Sequence, residues 1–169
     1  MINRVLIVGC PGAGKSTAAR SLAKITGLPI IHLDRHYWKP GWVRPDRDEW
    51  RAKVQHLAEQ PRWIMDGNYG GSLDLRLPAA DTLIHLDFST PVCFIRALRR
   101  SWTGLGELRG EEFVEGCPER LDLDFLRFVL KYRRGQRKRD LERLSAFRGD
   151  MHRFTSPRKL RVYLENLEE

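Results

Sequence analysis

The sequence contains few cysteines, no long apolar run and fewer acidic than basic side chains. Cys10, Cys93 and Cys117 are widely spaced and odd in number, which indicates neither a disulfide framework nor a zinc site. No apolar run approaches membrane-spanning length, and the first strand pattern begins without the features of a signal peptide. Internal repeats and low-complexity linkers are also absent. We therefore expect a cytoplasmic protein without membrane association.

The length and charge limit the organisation of the chain. Its 169 residues fit one compact domain and are too few for two large ones. The net charge is +8, and residues 96–161 hold 18 basic against 10 acidic side chains, whereas residues 1–95 hold 12 against 9. The densest basic stretch, residues 127–139, contains no acid. It favours three alternatives: a solvated face, arginines that close on phosphates, or a nucleic-acid surface.

The strongest motif is a phosphate-binding loop near the beginning of the chain. Residues 9–16 match the pattern G-x-x-x-x-G-K-[ST], between an apolar strand pattern at residues 5–8 and a helical pattern that begins at Ser16. Backbone N–H groups and the helix N-terminus would bind phosphates, Lys15 would reach the β- and γ-phosphates, and Ser16 would hold Mg²⁺. The predicted nucleotide-binding residues of this loop are Gly9, Pro11, Gly12, Ala13, Gly14, Lys15, Ser16 and Thr17.

Two further apolar runs end in a carboxylate. Residues 28–34 predict a second strand that ends at Asp34, and residues 63–66 predict a third that ends at Asp66. Ligands gather at the carboxyl ends of strands in parallel sheets. Asp66 has no basic neighbour in sequence, so we expect it to hold a water on Mg²⁺; a loop-capping role is the alternative.

Aromatic and glycine-rich segments follow these two strands. Residues 35–44 are rich in aromatic and turn-forming residues, including Tyr37 and Trp38, and predict an irregular loop that faces a substrate. Asn68 and Tyr69 lie in a second such loop. Between them, Asp46 is the predicted N-cap of a helix whose buried stripe contains the three residues Trp50, Val54 and Leu57.

The second half of the chain continues the alternation of strands and helices. A fourth strand is predicted at residues 82–87, and the pattern around His85 and His32 predicts hydrogen-bonded core histidines. A helix from residue 90 carries an apolar spacing that predicts its buried face. Glycines then interrupt the pattern and predict a lid-like helical insertion at about residues 102–139. The predicted buried face of the helix that begins at residue 90 consists of Val92, Ile95, Leu98 and Trp102.

The pattern after the lid completes the predicted sheet. An apolar helix face contains Leu121, Phe125, Val129 and Tyr132, with the basic stretch on its other side. A short strand at residues 152–155 leads into a final helix. These elements predict an α/β protein with the P-loop NTPase fold, a doubly wound parallel sheet of about five strands in one domain.

The motifs, in this order, resemble those of the adenylate-kinase-like group of small P-loop kinases. The resemblance covers residues 9–17, Asp34, Asp66, Arg96 and Arg100. A narrower resemblance, carried by residues 9–16, 32–34, 37–42, 66–69 and 116–120, is to proteins labelled DNA topology modulation protein. We base the expected chemistry on the kinase motifs and not on this label.

The resemblance implies roles for several residues. Arg96, Arg100 and Arg134 would meet the nucleotide or the transferring phosphoryl, and Ser156 and Pro157 would border the adenine. Adenylate kinases carry Phe-Pro-Arg after the Asp-Gly pair, where this chain has Asn68-Tyr69-Gly70, so Arg76 is the candidate that binds an acceptor phosphate. Asp34 would orient an acceptor hydroxyl or take its proton, beside the predicted substrate-binding residues Tyr37, Trp38, Asn68 and Tyr69.

The resulting expectation is an ATP- and Mg²⁺-dependent phosphotransferase that acts on a small acceptor. The acceptor is open: a nucleoside, a nucleotide or a phosphorylated metabolite fits equally. A nucleotide-gated nucleic-acid-binding protein, in which residues 127–139 contact nucleic acid, is the alternative from another class, and an ATPase is the third.

Overall fold

A single five-stranded parallel sheet organises the protein. The computed structural model describes residues 2–103, 116–117 and 122–168. The strand order is β2-β3-β1-β4-β5, and every neighbouring pair is parallel. The strands are β1 (Arg4–Gly9), β2 (Ile30–His32), β3 (Trp63–Asp66), β4 (Thr82–Leu86) and β5 (Asp150–Phe154).

Helices cover both faces of this sheet. In the described residues the α-helices are α1 (Lys15–Thr26), α2 (Leu33–Tyr37), α3 (Arg47–Glu59), α4 (Leu73–Arg76), α5 (Thr90–Thr103), α6 (Leu123–Lys131), α7 (Gln136–Leu144) and α8 (Pro157–Glu168). None of the described helices is long and apolar enough to cross a membrane. The predicted α/β class and the parallel five-stranded sheet are confirmed.

The two cores follow from the alternation of side chains along the strands. Val5 and Ile7 of β1 point to one face, where α1 and α8 pack, whereas Leu6 and Val8 point to the other, where α3 and α4 pack. Because both faces are covered, β1 is apolar throughout and its central residues are fully buried. Its carboxyl end therefore emerges between two packed layers, which positions the loop that follows.

Local contacts determine the end of α1 and the start of α3, where the predicted N-cap is confirmed. The left-handed residue Gly27 ends α1 and its N–H donates to Ala23 O. Asp46 caps α3 by accepting from the N–H groups of Asp48 and Glu49. Trp50, Val54 and Leu57 are buried as predicted.

The second strand is shorter than predicted. It ends at His32, and residues 33–37 form α2, so Asp34 lies in the first turn of a short helix and not at the end of a strand. The aromatic segment after it is also not irregular. Pro40–Trp42 form a 3-10 turn, and Lys39 and Val43 pair across it. Burial of Leu33 on the α3 face turns the chain into this helix.

The predicted buried face of α5 is wrong at Ile95, Leu98 and Trp102, whereas Val92 is partly buried and packs against the core. Ile95 and Trp102 are 63% and 69% exposed, and the buried positions are Cys93, Ala97 and Ser101. The reason is close packing, because a Cβ on Gly12 would lie 2.2 Å from Cys93 O. Only small side chains allow α5 to come so near the phosphate loop, so its large apolar side chains lie on the other side.

The predicted lid falls partly outside the described residues. Residues 104–115 and 118–121, and with them Leu121, are not described, so the insertion stays a prediction. On the described helix α6 and the turn after it, Val129 and Tyr132 are buried as predicted. The basic stretch begins on the exposed side of α6 and continues into α7.

Candidate active site

The phosphate loop joins β1 to α1. Gly12 and Gly14 have φ of 81° and 91°, in the left-handed region that favours glycine. Gly14 is also the N-cap of α1 and offers no side-chain cap, and no acid lies in the first helical turn. The N–H groups of this helix end are therefore available to an anion, and the helix dipole favours one there.

Lys15 curls back over this loop. Its ammonium Nζ donates to Gly9 O at 3.1 Å and to Cys10 O at 3.4 Å. These contacts hold the positive charge above the loop, where the phosphates of a nucleotide would lie. The loop, helix end and ammonium together make an anion-binding cradle.

Asn68 braces the same loop from β3. Its side-chain Oδ1 accepts from Gly9 N–H at 2.9 Å. Asn68 is predicted to contact the acceptor, but its amide oxygen is hydrogen-bonded to the phosphate loop. The residue therefore couples the loop after β3 to the loop after β1.

Asp66 is buried and paired, which its sequence neighbours did not reveal. Its Oδ1 lies 2.8 Å from His32 Nδ1 because β2 and β3 pair in register at these two residues. The prediction that His32 is a hydrogen-bonded core histidine is thereby confirmed. The imidazole fixes the orientation of the carboxylate, as outer partners of metal ligands commonly do.

Ser16 and Asp66 are the residues that the sequence predicts to hold Mg²⁺. Both supply oxygen donors, which Mg²⁺ prefers, and such sites complete their coordination with water and substrate phosphates. No group of three or more His, Cys, Asp or Glu side chains suited to a metal occurs among the described residues. A magnesium ion here would therefore depend on the bound nucleotide.

His85 differs from its prediction. It is buried in β4, but its Nδ1 has no hydrogen-bond partner. Burial lowers the pKa of His85 and favours the neutral ring. A cavity of about 10 Å³ beside it, lined also by Asn68, Tyr132 and Asp140, has room for roughly one water molecule.

Asp34 and Tyr69 face each other where α2 and the loop after β3 meet. The Tyr69 hydroxyl donates to Asp34 Oδ1 at 2.5 Å, while Asp34 remains exposed. Burial, and next the charge of Asp34, raises the pKa of Tyr69, so the phenol stays a donor. One carboxylate oxygen of Asp34 is thus occupied and the other is available.

Aromatic rings support this pair. The ring of Tyr37 lies 4.5 Å from that of Tyr69 and 4.9 Å from those of Trp38 and Trp50, measured between centroids. Tyr69 itself has a left-handed φ of 31°, uncommon for a bulky residue. The predicted substrate-binding residues Tyr37, Trp38 and Tyr69 therefore lie together beside Asp34.

Arg76 is not placed to bind an acceptor phosphate. Its side chain is fully buried, and its guanidinium donates to the carbonyls of Gly67, Asn68 and Tyr69. Burial lowers the pKa of Arg76 to about 9, so the group stays largely protonated at neutral pH. It holds the loop after β3 in shape, and the prediction of a substrate contact is corrected.

Two arginines lie close to the phosphate loop. Arg96 of α5 donates to Ala13 O at 3.4 Å, and its predicted contact with the nucleotide stays a prediction. Arg133 was not singled out by the sequence, yet it donates to Phe88 O and its charge acts on the Cys10 thiol of the loop. Arg134 is exposed, and Arg100 lies over the Phe125 ring, 5.6 Å from its centroid.

The basic stretch is not one uniform surface. Arg137 donates twice to the buried Asp87, at 2.7 and 2.8 Å, and Arg153 also donates to that carboxylate. Arg127 pairs with Asp124 one helical turn away, at 3.0 Å. The acids that balance the stretch thus come from neighbouring parts of the fold.

Asp87 should contribute a pH-dependent part of the stability. Burial raises its pKa, but Arg137 and Arg153 outweigh burial and lower the pKa to about 2. Since this lies below the unfolded value of about 3.9, the contribution is present above about pH 4 and is lost as the pH falls toward 2. We expect Asp87→Asn to lower the free energy of unfolding at pH 7 by about 1 to 2 kcal/mol, with screening included.

Urea unfolding at pH 7 and at acidic pH measures this effect. The difference between the wild type and Asp87→Asn should shrink as the pH approaches 2. Asp124→Asn, which removes an exposed pair, is the matched control and should change stability little. A difference that stays constant across this pH range would contradict the assignment.

Residues 156–157 follow β5, whereas the segment 116–117 packs on the aromatic turn at residues 39–42. Ser156 Oγ accepts from Lys159 N–H, and Pro157 begins α8 at the carboxyl edge of the sheet. Cys117 was left without a role, but its buried Sγ donates to Lys39 O and accepts from Trp42 N–H. It fastens the aromatic turn beside the acceptor side of the site.

Comparison with protein families finds a match at the nucleotide-binding end of the chain. A family model described as isopentenyl transferase matches residues 2–38, which comprise β1, the phosphate loop, α1, β2 and α2. A search of curated proteins found no match.

Solved structures are similar over nearly the whole chain. Shikimate kinase from Acinetobacter baumannii in complex with shikimate has a TM-score of 0.60 at 16% identity, covering 99% of this chain and 91% of that one. Shikimate kinase from Bacteroides thetaiotaomicron has a TM-score of 0.54 at 16% identity, covering 99% and 97%. A gluconokinase from Sinorhizobium meliloti 1021 has a TM-score of 0.52 at 18% identity, covering 98% and 93%. The chain has the P-loop fold of these small kinases.

Proposed function

We propose that the protein is an ATP-dependent kinase that transfers the γ-phosphoryl group to a hydroxyl of a small acceptor. The observation that carries the proposal is Lys15, whose ammonium curls over the phosphate loop. The fold of small kinases and the pair of Asp34 and Tyr69 support it. The finer resemblance to the DNA topology modulation group stays a prediction.

The nucleotide side of the site supplies binding and charge. The loop N–H groups and Lys15 would hold the phosphates, with Arg96 and Arg133 adding positive charge beside them. Ser16 would bind Mg²⁺ directly and Asp66 through a water. ATP and Mg²⁺, when bound, supply the phosphoryl group and neutralise its charge.

The acceptor side favours a hydroxyl. Tyr69 occupies one oxygen of Asp34, so the second can accept a hydrogen bond from an acceptor hydroxyl or take its proton. Arg76 does not offer a phosphate-binding cation, since its donors are used by backbone carbonyls. Tyr37 and Trp38 would contact the rest of the acceptor.

An acceptor panel tests this proposal. ADP formation from Mg-ATP is measured with nucleosides, nucleoside monophosphates, shikimate, gluconate and other hydroxylated metabolites, with Lys15→Ala as the blank. We expect one acceptor class to stimulate turnover, and Asp34→Asn to lower its kcat by about 10² to 10⁴-fold because the base is lost.

Two results would contradict it. Slow turnover that no acceptor stimulates would indicate an ATPase. If a Lys15→Ala protein transferred phosphate at the wild-type rate, the role of the phosphate loop in binding ATP would be contradicted. Nucleotide binding measured on Asp34→Asn is the control, and it should remain unchanged.

A further inference from the structure

A large groove lies on the sheet face opposite α1 and α8. It runs between the side formed by α3 and α4 and the side formed by α7 and the connection to β5, with a volume of about 910 Å³. Arginines, glycines, apolar side chains and Asp74 line it. The proposed kinase chemistry uses none of these side chains.

The charge of the groove is strongly positive. Arg47 and Arg51 line one wall, and Arg143 and Arg148 line the other, against a single carboxylate. That carboxylate, Asp74, is already held by Arg51 through two hydrogen bonds of 3.0 and 2.8 Å. Among the described residues, no carboxylate forms an ion pair with Arg47 or Arg148. The groove thus holds cations that the fold does not neutralise.

The two walls meet at the 3-10 turn Gly70–Ser72. Arg51 Nη1 donates to Gly71 O at 2.5 Å, and Arg143 lies against Gly70, where a Cβ would be 2.2 Å from its Nη1. Because Gly70 and Gly71 have no side chains, the two guanidinium groups approach the same backbone from opposite sides.

The floor of the groove is apolar. Leu77, Pro78 and Phe147 line it between the charged walls, and Phe147 is only partly buried. A ligand that fits both parts needs anionic groups for the arginines and planar apolar groups for the floor. A single strand of nucleic acid has this combination, since its bases present flat faces to aromatic side chains.

We propose that this groove binds single-stranded nucleic acid, with phosphates on the arginines of both walls and bases on the apolar floor. The surface differs from residues 127–139, part of whose charge is paired within the fold. The proposal does not depend on phosphoryl transfer. It can therefore be tested in the absence of ATP.

The test is fluorescence anisotropy with a labelled single strand of about twelve nucleotides across a salt series. The groove variant is Arg47→Gln with Arg148→Gln; the control is Lys159→Gln with Arg161→Gln on α8, which removes the same charge from the opposite face. We expect the groove variant to weaken binding about tenfold or more and to reduce the salt slope by about 1.4, because two phosphate contacts are lost, and the control to change Kd less than about twofold. Both variants replace exposed side chains, and thermal unfolding verifies that they fold.

Three outcomes would overturn the proposal. Equal losses in both variants would indicate only delocalised attraction by the net charge. If the oligonucleotide does not bind at low salt, the groove is not a site for single-stranded nucleic acid. Inorganic polyphosphate of matched charge, if it competes as well as the oligonucleotide, would show that bases play no part, whereas weaker competition supports the apolar floor as a binding surface.

Discussion

A Gly12→Ala protein should lose about 100-fold or more in affinity for ATP, whereas Gly27→Ala should bind ATP normally. Both glycines have left-handed φ, 81° at Gly12 and 66° at Gly27. Alanine in this region costs about 1 kcal/mol at either position. The two sites therefore share the conformational penalty and differ in their surroundings.

The surroundings decide the result. A Cβ at Gly12 would lie 2.2 Å from Cys93 O and 3.2 Å from Ala97 N, both in the backbone of α5, but at Gly27 it would meet no atom within 4 Å. Backbone atoms of a packed helix cannot move aside cheaply. The phosphate loop must shift instead, and displacement by about 1 Å is enough to cost 10²-fold in a preorganised site.

Titration with ATP, together with thermal unfolding of both variants, measures the effect. Gly27→Ala measures the loss of thermal stability that an alanine with left-handed φ causes by itself. If Gly12→Ala retained wild-type affinity, the close contact between the loop and α5 would not constrain the nucleotide site. That outcome would also remove the explanation for the small buried residues of α5.

An Arg76→Met substitution should lower the free energy of unfolding by about 3 kcal/mol or more. Methionine fills similar space but leaves the carbonyls of Gly67, Asn68 and Tyr69 without their donor. Buried acceptors that lose a charged partner cost about 1 to 3 kcal/mol each, with partial relief where water can enter. The loop that carries Asn68 and Tyr69 should loosen first.

The same substitution separates two roles for this arginine. A residue that only bound an acceptor phosphate would leave stability intact and raise the acceptor KM. A residue that supports the loop lowers stability and also weakens nucleotide binding, because Asn68 braces Gly9. Urea unfolding with Arg62→Met, which changes an exposed arginine just before β3, provides the matched control. Wild-type stability in Arg76→Met would contradict the structural role.

Local features of the site could be predicted because they depend on residues near in sequence. The phosphate loop needs glycines, a lysine and a hydroxyl at fixed spacing, and the alternation of apolar runs and helical patterns identifies the strand before it and the helix after it. Asp46 and Gly27 end or begin helices through contacts within three or four residues. The α/β class followed from the same alternation.

Predictions failed where a helix face or a strand end depended on distant neighbours. Hydrophobic spacing on α5 indicated Ile95, Leu98 and Trp102 as the buried face, but the short distance to the phosphate loop admits only small residues there. Asp34 was expected at the end of a strand and lies in α2, because burial of Leu33 begins a helix one residue earlier. Periodicity alone contains no information on interhelical distance.

The sequence by itself determined the phosphate-binding loop, the order of strands and helices and the excess of positive charge. Only the tertiary structure decided which charged side chains are paired within the fold and which can contact a ligand. In the fold Asp66 pairs with His32, and the buried Arg76 donates to the loop after β3. Asp87 accepts from Arg137 and Arg153. Arg133 lies beside the phosphate loop. The physical reason is that a charged side chain is satisfied by whatever groups the fold brings within hydrogen-bond distance, and these partners are separated by 7 to 66 residues along the chain.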